Sequence, residues 1–494
     1  MDNGGRSHKL SPTVHSMPAH HYDLIVIGSG PAGEKGAVQA AQLGKKVALI
    51  EREHVLGGVA ANKGSLLSKT LRETALALIG FRQRGLQGIT MTLKEHVTAN
   101  DFLNRERLVR QLEQARIRAQ LERHHVALFT GAASFMDPHT VRIATNDALS
   151  QEELVTGSVI LLAVGSHPCR PPIFPAEHPQ IYDSDSIANL RELPQQMAVA
   201  GSGVIGCEYA CMFAALGVKT TLIEEDDRLL PFLDNEVSAA LLASLRAQGI
   251  EVRLGEKVTA VARGAGFGLT LASKALLYCD TLLVAAGREG NTARLNLAAL
   301  GLATDARGLL AVNEHFQTAL PHVYAAGDVV GFPALASSAM EQARSAMAHA
   351  FDPNFQSRSA PILPYGIYTI PECAMAGDTE QTLQGKGVPF VAGVAHYAGN
   401  ARGQIIGARE GFLKLIFHRE TMQLLGVHII GELASELVHT GSVALQKNAD
   451  AELFTQTCFN YPTLGELYKS ATYDALAKRA PAGKLPMALK PPVR

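Results

Sequence analysis

Short apolar runs stopped by glycine recur along the chain: "DLIVIGSG" from Asp23, "VILLAVGS" from Val159, "TLLVAAGR" from Thr281 and "HVYAAGDVVG" from His322. Apolar residues without alternation predict strands covered on both faces, as in a parallel sheet. Residues 104–125, "NRERLVRQLEQARIRAQLERHH", read instead as one long amphipathic helix with Leu108, Leu112, Ala115 and Ala119 on its apolar stripe. From about residue 360 the pattern changes again. "YGIYTIPECAMAG" is followed by "GFLKLIFHRETMQLLGVHIIG", two alternating strands about a turn, and then by helical sequence to residue 479. That predicts an α+β module behind an α/β region.

No run approaches the roughly 20 apolar residues that span a bilayer. Residues 1–21 hold four histidines and two prolines without an apolar core, and are expected to be a disordered leader; residues 480–494 are expected to be a flexible tail. Within 494 residues, 47% are hydrophobic and 18% charged, enough for several buried cores. Lys and Arg (45) balance Asp and Glu (46), so nothing points to nucleic acid or an acidic membrane. Six scattered cysteines without a CxxC read as small buried hydrophobes. They outline neither a disulfide framework nor a metal site, which implies a reduced, cytoplasmic setting.

The strongest signal is a repeat. Residues 28–51, "GSGPAGEKGAVQAAQLGKKVALIE", align without a gap on residues 201–224, "GSGVIGCEYACMFAALGVKTTLIE", with 12 of 24 positions identical. One GxGxxG is weak evidence, whereas two at a fixed offset, each after an apolar strand and before a distant acid, specify dinucleotide-binding units. Gly28 makes the tight turn, Gly30 leaves room for a pyrophosphate, Gly33 lets helix and strand pack, and Glu51 can accept ribose hydroxyls. Gly201, Gly203, Gly206 and Glu224 repeat those roles. Asp328, just past a strand end, can reach a ligand hydroxyl, although Asp after Gly is also an ordinary turn residue.

Together with "GG…KGS…SK" (Gly57–Lys69), "YDSDSI", "AAGREGNT", "YTIPE" and "NYPTLGE", these pieces resemble the flavin-dependent pyridine nucleotide–disulfide oxidoreductases over residues 22–475. Within that family, "GVIGCEYA", "GREGNT", "GIYTIPE" and "FNYPT" are most similar to the si-specific transhydrogenase branch. The resemblance implies a homodimer with an FAD-binding domain (22–165 and 281–355), an NAD(P)-binding domain (166–280) and a C-terminal dimerisation domain (356–479). It further implies that Gly28, Gly30, Gly33, Glu51, Gly57, Gly58, Gly165, Asp328 and Ala336 hold FAD. Gly201, Gly203, Gly206, Glu224 and Gly287 then hold NAD(H), with NADP(H) left open. Lys69 falls where the family places a lysine near flavin N5, paired with the glutamate that is here Glu208.

The departures are at the redox centre. The family's two cysteines correspond to Ala60 and Ser65, a proline to Leu67, and the partner-donated histidine before Pro-Thr to Tyr461, while Glu466 remains. A thiol–disulfide cycle needs two sulfurs and a proton shuttle, so disulfide chemistry is disfavoured. Three readings remain: hydride transfer between nicotinamide dinucleotides through FAD, NADH-dependent reduction of a quinone, dye or oxygen, and a non-catalytic FAD-binding scaffold. Retention of Lys69, Glu208 and both nucleotide motifs argues against the scaffold. The run "EEDDR" (Glu224–Arg228) suits a free ribose 2′-hydroxyl better than a 2′-phosphate, favouring NADH over NADPH.

Overall fold

The computed structural model describes residues 20–83, 99–145, 152–175, 178–264, 266–352, 354–355, 362–408 and 410–479. The expected leader, apart from His20 and His21, and the expected tail lie outside them. The chain forms two compact units. The first is built from residues 1–58, 114–166 and 290–356, and the second from residues 59–113, 167–289 and 357–494.

In the first unit, His20–Ile27 runs parallel to Val47–Glu51 on one side and to Glu152–Leu162 on the other, with Leu24 opposite Val47 and Val159. Ala127–Thr130 extends the sheet beyond Val47–Glu51. The far end of Glu152–Leu162 pairs parallel with Val323–Ala325, while its start pairs antiparallel with Thr140–Ala144. Leu24, Ile25 and Val26 are wholly buried, as an unalternating run requires when both faces are covered. The 12-residue helix Pro31–Gln42 follows at once, with proline in its first turn, where the missing N–H costs nothing.

The long helix is present as Ala99–Arg123, but its buried face is not the expected one. Leu108, Leu112, Ala115 and Ala119 are exposed, while Ile117, Leu121 and Glu106 are buried. The helix carries two stripes of helical spacing, and tertiary contact rather than periodicity selects between them.

In the second unit, a five-stranded parallel sheet runs in the order Glu251–Arg253, Lys219–Ile223, Gln196–Ala200, Thr281–Val284, Ile181–Asp183. Thr281–Val284 pairs with Gln196–Ala200 and therefore belongs to this sheet, not to the FAD-side segment expected to begin at 281. The C-terminal module is an antiparallel sheet ordered Tyr365–Ile367, Glu372–Gly377, Leu424–Gly431, Phe412–His418, Phe390–His396, packed with the helices Ala434–Gln446 and Glu466–Arg479.

One hydrophobic cluster joins the second nucleotide sheet to this module: Leu67, Cys207, Cys211 and Leu283 pack with Ile367, Ile370, Cys373 and Ile430. The two also share a charge cluster around a buried lysine. The Lys414 ammonium, 1% exposed, lies 3.0 Å from Asp234, 3.0 Å from Glu236 and 2.9 Å from Glu380. The two regions expected as separate domains thus share a core within one unit.

Candidate functional site: two dinucleotide turns and a lysine–glutamate pair

Both glycine turns have the same construction. A side chain on Gly28 (φ +103°) would put its Cβ 2.3 Å from the Ala163 carbonyl oxygen, and one on Gly201 (φ +102°) would sit 2.5 Å from that of Ala285. Each strand therefore leaves its sheet hard against a neighbouring strand end, where only glycine fits. Each turn opens a 12-residue helix whose first N–H groups point out of the turn, an arrangement suited to phosphate.

The acids end their strands as expected, and a serine holds each one. Ser29 donates its N–H and hydroxyl to one Glu51 oxygen, at 2.9 and 2.6 Å, while Glu53 N–H donates to the other at 2.9 Å. Ser202 N–H donates to Glu224 at 2.6 Å and Asp226 N–H at 3.0 Å. Burial pushes the Glu224 carboxyl upward. The Asp226 amide, the Ser202 hydroxyl and the Ser202 amide outweigh it and hold the group below the ordinary glutamate range. The two serines were missed in the sequence, although they occupy the same place in both copies.

Around the first turn a second stretch of backbone closes in. Gly57 N–H donates to Ser29 Oγ at 3.0 Å, and a Cβ on Gly58 (φ +57°) would lie 2.9 Å from Gly30 Cα. Asp328 accepts from the Ser166 hydroxyl at 2.7 Å, and Asn291 braces the carbonyls of Val164 and Gly165. Ala336 opens the 16-residue helix Ala336–Phe351. With no side chain at position 30 and fixed carboxylates at 51 and 328, the residues suit the pyrophosphate and hydroxyl groups of FAD. At the second turn nothing lies within 4 Å of a Cβ on Gly203 or on Gly287. In the acidic run there, Arg228 donates to the Pro231 carbonyl, and Glu225 pairs with Lys257 at 2.8 Å.

Lys69 and Glu208 come together in the second unit. The ammonium bonds both Glu208 oxygens, at 2.9 and 2.7 Å, with the lysine side chain 30% exposed and the glutamate 4%. Lys69 stands on the helix Ser65–Gln83, and Glu208 on the helix Val204–Ala215 that follows the second glycine turn. The pair presents one partly exposed cation on a nearly buried counter-charge, and the Tyr368 amide also donates to Glu208 at 2.9 Å.

Ala60 lies half-buried in the short helix Gly58–Asn62, Ser65 is exposed at its helix start, and Leu67 is wholly buried in the core cluster. None of the six cysteines forms a disulfide. Burial pushes the Cys207 thiol well up and those of Cys211 and Cys373 to about 12, so these three are poor nucleophiles at neutral pH. Tyr461 is 69% exposed, and Glu466 opens the helix Glu466–Arg479 half-buried. Among the described residues no cluster of His, Cys, Asp or Glu could hold a metal ion.

Residues 22–350 match the family model "Pyridine nucleotide-disulphide oxidoreductase", and residues 363–472 its dimerisation domain. The chain is 44% identical over 458 residues to the soluble pyridine nucleotide transhydrogenase of Mycobacterium tuberculosis, covering 92% of this chain and 97% of that one. It is 41% identical over 460 residues to that of Pectobacterium atrosepticum, covering 92% and 97%. Among solved structures it is similar to LpdA from Mycobacterium tuberculosis (TM-score 0.85, 25% identity, 92% of this chain and 99% of that one). It is also similar to the HOCl-induced flavoprotein disulfide reductase RclA from Escherichia coli (TM-score 0.81, 25% identity, 91% and 99%). A nucleotide turn built twice, a lysine–glutamate pair and family matches over nearly the whole length agree, and the chain belongs to the pyridine nucleotide-disulphide oxidoreductase family.

Proposed function

We propose that this protein is a homodimeric, FAD-dependent oxidoreductase that passes a hydride from one nicotinamide dinucleotide to another without a redox disulfide. The observation that carries the reading is the intact Lys69–Glu208 pair in a chain whose positions 60 and 65 hold Ala60 and Ser65. Its relatives at 41–44% identity, named soluble pyridine nucleotide transhydrogenase, support the choice of substrate class.

Gly28, Gly30, Gly33, Glu51, Gly57, Gly58, Gly165, Asp328 and Ala336 would hold FAD, and Gly201, Gly203, Gly206, Glu224 and Gly287 the exchanging dinucleotide. Bound FAD supplies storage of a hydride equivalent between two half-reactions. Lys69 contributes a positive charge that stabilises the negative charge developing on reduction, and Glu208 keeps that cation in place. Glu51 and Glu224, each fixed by its serine, accept ribose hydroxyls. Tyr461 and Glu466 stand where the family carries its thiol-side acid–base pair, but a phenol at 461 does not replace the imidazole in that role.

The acidic run favours a second reading, NADH-dependent reduction of a quinone or dye, because Arg228 donates to the Pro231 carbonyl of its own loop and Lys257 is paired with Glu225 of the run. No helix of the described residues is long and apolar enough to cross a membrane. With six cysteines outside any disulfide, a cytoplasmic location is the natural one. Anaerobic titration with NADH, followed by rapid mixing with NADP⁺, an NAD⁺ analogue and quinones, tests the proposal. The expected result is two electrons per FAD, no long-wavelength thiolate band, and reoxidation by the oxidised dinucleotide. Uptake of four electrons would overturn the disulfide-free reading, and reoxidation by quinones alone would select the second.

A further inference from the structure

The stretch "YTIPE", Tyr368 to Glu372, links the strands Tyr365–Ile367 and Glu372–Gly377, and its Thr369 carbonyl and Glu372 carboxylate both bond Arg72 of the Lys69 helix. The Lys69 ammonium sits 4.7 Å from the centre of the Tyr368 ring. The Tyr368 amide donates at 2.9 Å to Glu208 Oε1, an oxygen that also accepts from Lys69. One residue therefore touches both members of the pair, its backbone on the carboxylate and its ring on the cation.

The ring is held from behind. The Tyr368 hydroxyl and Ser435 both crowd Gly366, where an added Cβ would lie 3.8 Å from the hydroxyl and 3.2 Å from Ser435 Cβ. Ser435 donates its hydroxyl and N–H to Glu372 Oε2 at 2.7 and 3.0 Å, and Glu372 Oε1 pairs at 3.0 Å with Arg72. Arg72 also donates to the Thr369 carbonyl at 3.1 Å. Arg72 lies three residues beyond Lys69 on the same helix, and so on the same face. The contacts close a circuit that leaves the helix at Lys69, passes through Tyr368, Ser435 and Glu372, and returns at Arg72. The Arg72 and Glu372 side chains are 5% and 7% exposed, so this return arm is buried and well shielded from solvent.

Lysine is a point charge on a flexible stem. Glu208 fixes its ammonium from one side, and an aromatic face, which attracts cations and sheds water, limits it on another. We propose that Tyr368 is a positioning residue for Lys69, with Ser435, Glu372 and Arg72 setting the plane of its ring; the inference rests on the reading that Lys69 serves the reduced flavin.

The test compares Tyr368→Leu, Tyr368→Phe and Ser435→Ala in the purified full-length holoprotein, by the FAD midpoint potential, the rate of reduction by NADH, and the rate of acylation of Lys69 followed by mass spectrometry. Tyr368→Leu is expected to slow reduction about 2- to 30-fold. It should also lower the midpoint, a tenfold change in the reduction equilibrium reading as about 30 mV, and speed acylation of Lys69. Tyr368→Phe keeps the ring but, like Ser435→Ala, frees its far end, and should shift the three readouts in the same direction by no more than about twofold, a scale well inside one cation–ring contact. Ser435→Ala keeps the ring but frees its far end. It shifts the same readouts in the same direction by less, and it carries the test if the leucine variant does not fold.

Unchanged midpoint and acylation in Tyr368→Leu, or equal losses in Tyr368→Phe, would overturn the positioning role. Faster acylation with an unchanged midpoint would keep that role and overturn the assignment of Lys69 to the flavin.

Discussion

The two glycine turns share a sequence frame, a backbone twist and a serine-held carboxylate, but they differ in what surrounds them. At the first, the Gly57–Gly58 backbone lies against Gly30 and is tied to Ser29. At the second, a methyl group on Gly203 would meet nothing within 4 Å. A dinucleotide bound at the first turn would have a second backbone segment, Gly57–Gly58, beside it; at the second turn no segment stands within 4 Å of the Gly203 Cβ position. Enclosure slows dissociation and openness permits exchange. The difference fits a resident cofactor at Gly28–Glu51 and a substrate that comes and goes at Gly201–Glu224.

The comparison can be broken most sharply by adding one methyl group to each turn. Gly58→Ala places a Cβ 2.9 Å from Gly30 Cα on a backbone with φ +57°, and should leave the purified protein largely without FAD. Gly203→Ala should retain FAD and raise KM for NADH instead. The flavin absorbance per protein and the steady-state constants check this, and full flavin retention in Gly58→Ala would sink the distinction.

A smaller effect is expected at the open turn. There Glu224, held ionised by Ser202 and Asp226, faces any 2′-phosphate alongside Glu225, Asp226 and Asp227, while Arg228 donates to the Pro231 carbonyl and Lys257 is paired with Glu225. The unmatched charge should cost about 1–3 kcal/mol, or about 5- to 150-fold in favour of NADH over NADPH. Glu224→Ala combined with Asp226→Arg should narrow the gap in kcat/KM. Equal efficiency for the two cofactors in the parent would refute this reading.

The smallest effect concerns Tyr461, which replaces the family's imidazole and is 69% exposed on its own chain. As a cap given to a partner's flavin, it would complete the enclosure that sets the first site apart. Tyr461→Ala should leave reduction by NADH within a few fold, about the worth of one lost aromatic contact, yet speed reoxidation by small quinones or oxygen in stopped-flow traces. No change in acceptor range would remove the capping role.

The repeat could be read from sequence because its demands fall on the backbone: a glycine where Ala163 O crowds Gly28, another where Ala285 O crowds Gly201, and an acid at each strand end. Ser29 and Ser202 were equally legible and passed over, because serine between glycines reads first as a turn residue. The stripe on Ala99–Arg123 was misassigned because periodicity marks a helix but not the side that meets the core. The strand Thr281–Val284 was given to the wrong domain because an apolar run does not name its neighbours. The circuit through Tyr368 was beyond the sequence altogether. Arg72 and the Thr369 carbonyl it bonds are 297 positions apart, and no local spacing encodes such a pairing.

The buried Lys414 bears on any attempt to recombine this protein with its relatives. Its three carboxylates are drawn from both sides of what looks like a module boundary: Asp234 and Glu236 from the nucleotide-binding part, Glu380 from the C-terminal part. A chimera cut between them must carry over both halves of the charge set. If it imports a neutral residue at 414 it strands Asp234, which is wholly buried, at a cost of about 3–5 kcal/mol. Crossover points are therefore constrained by one ammonium group, and the C-terminal module is inherited together with the nucleotide fold it neutralises.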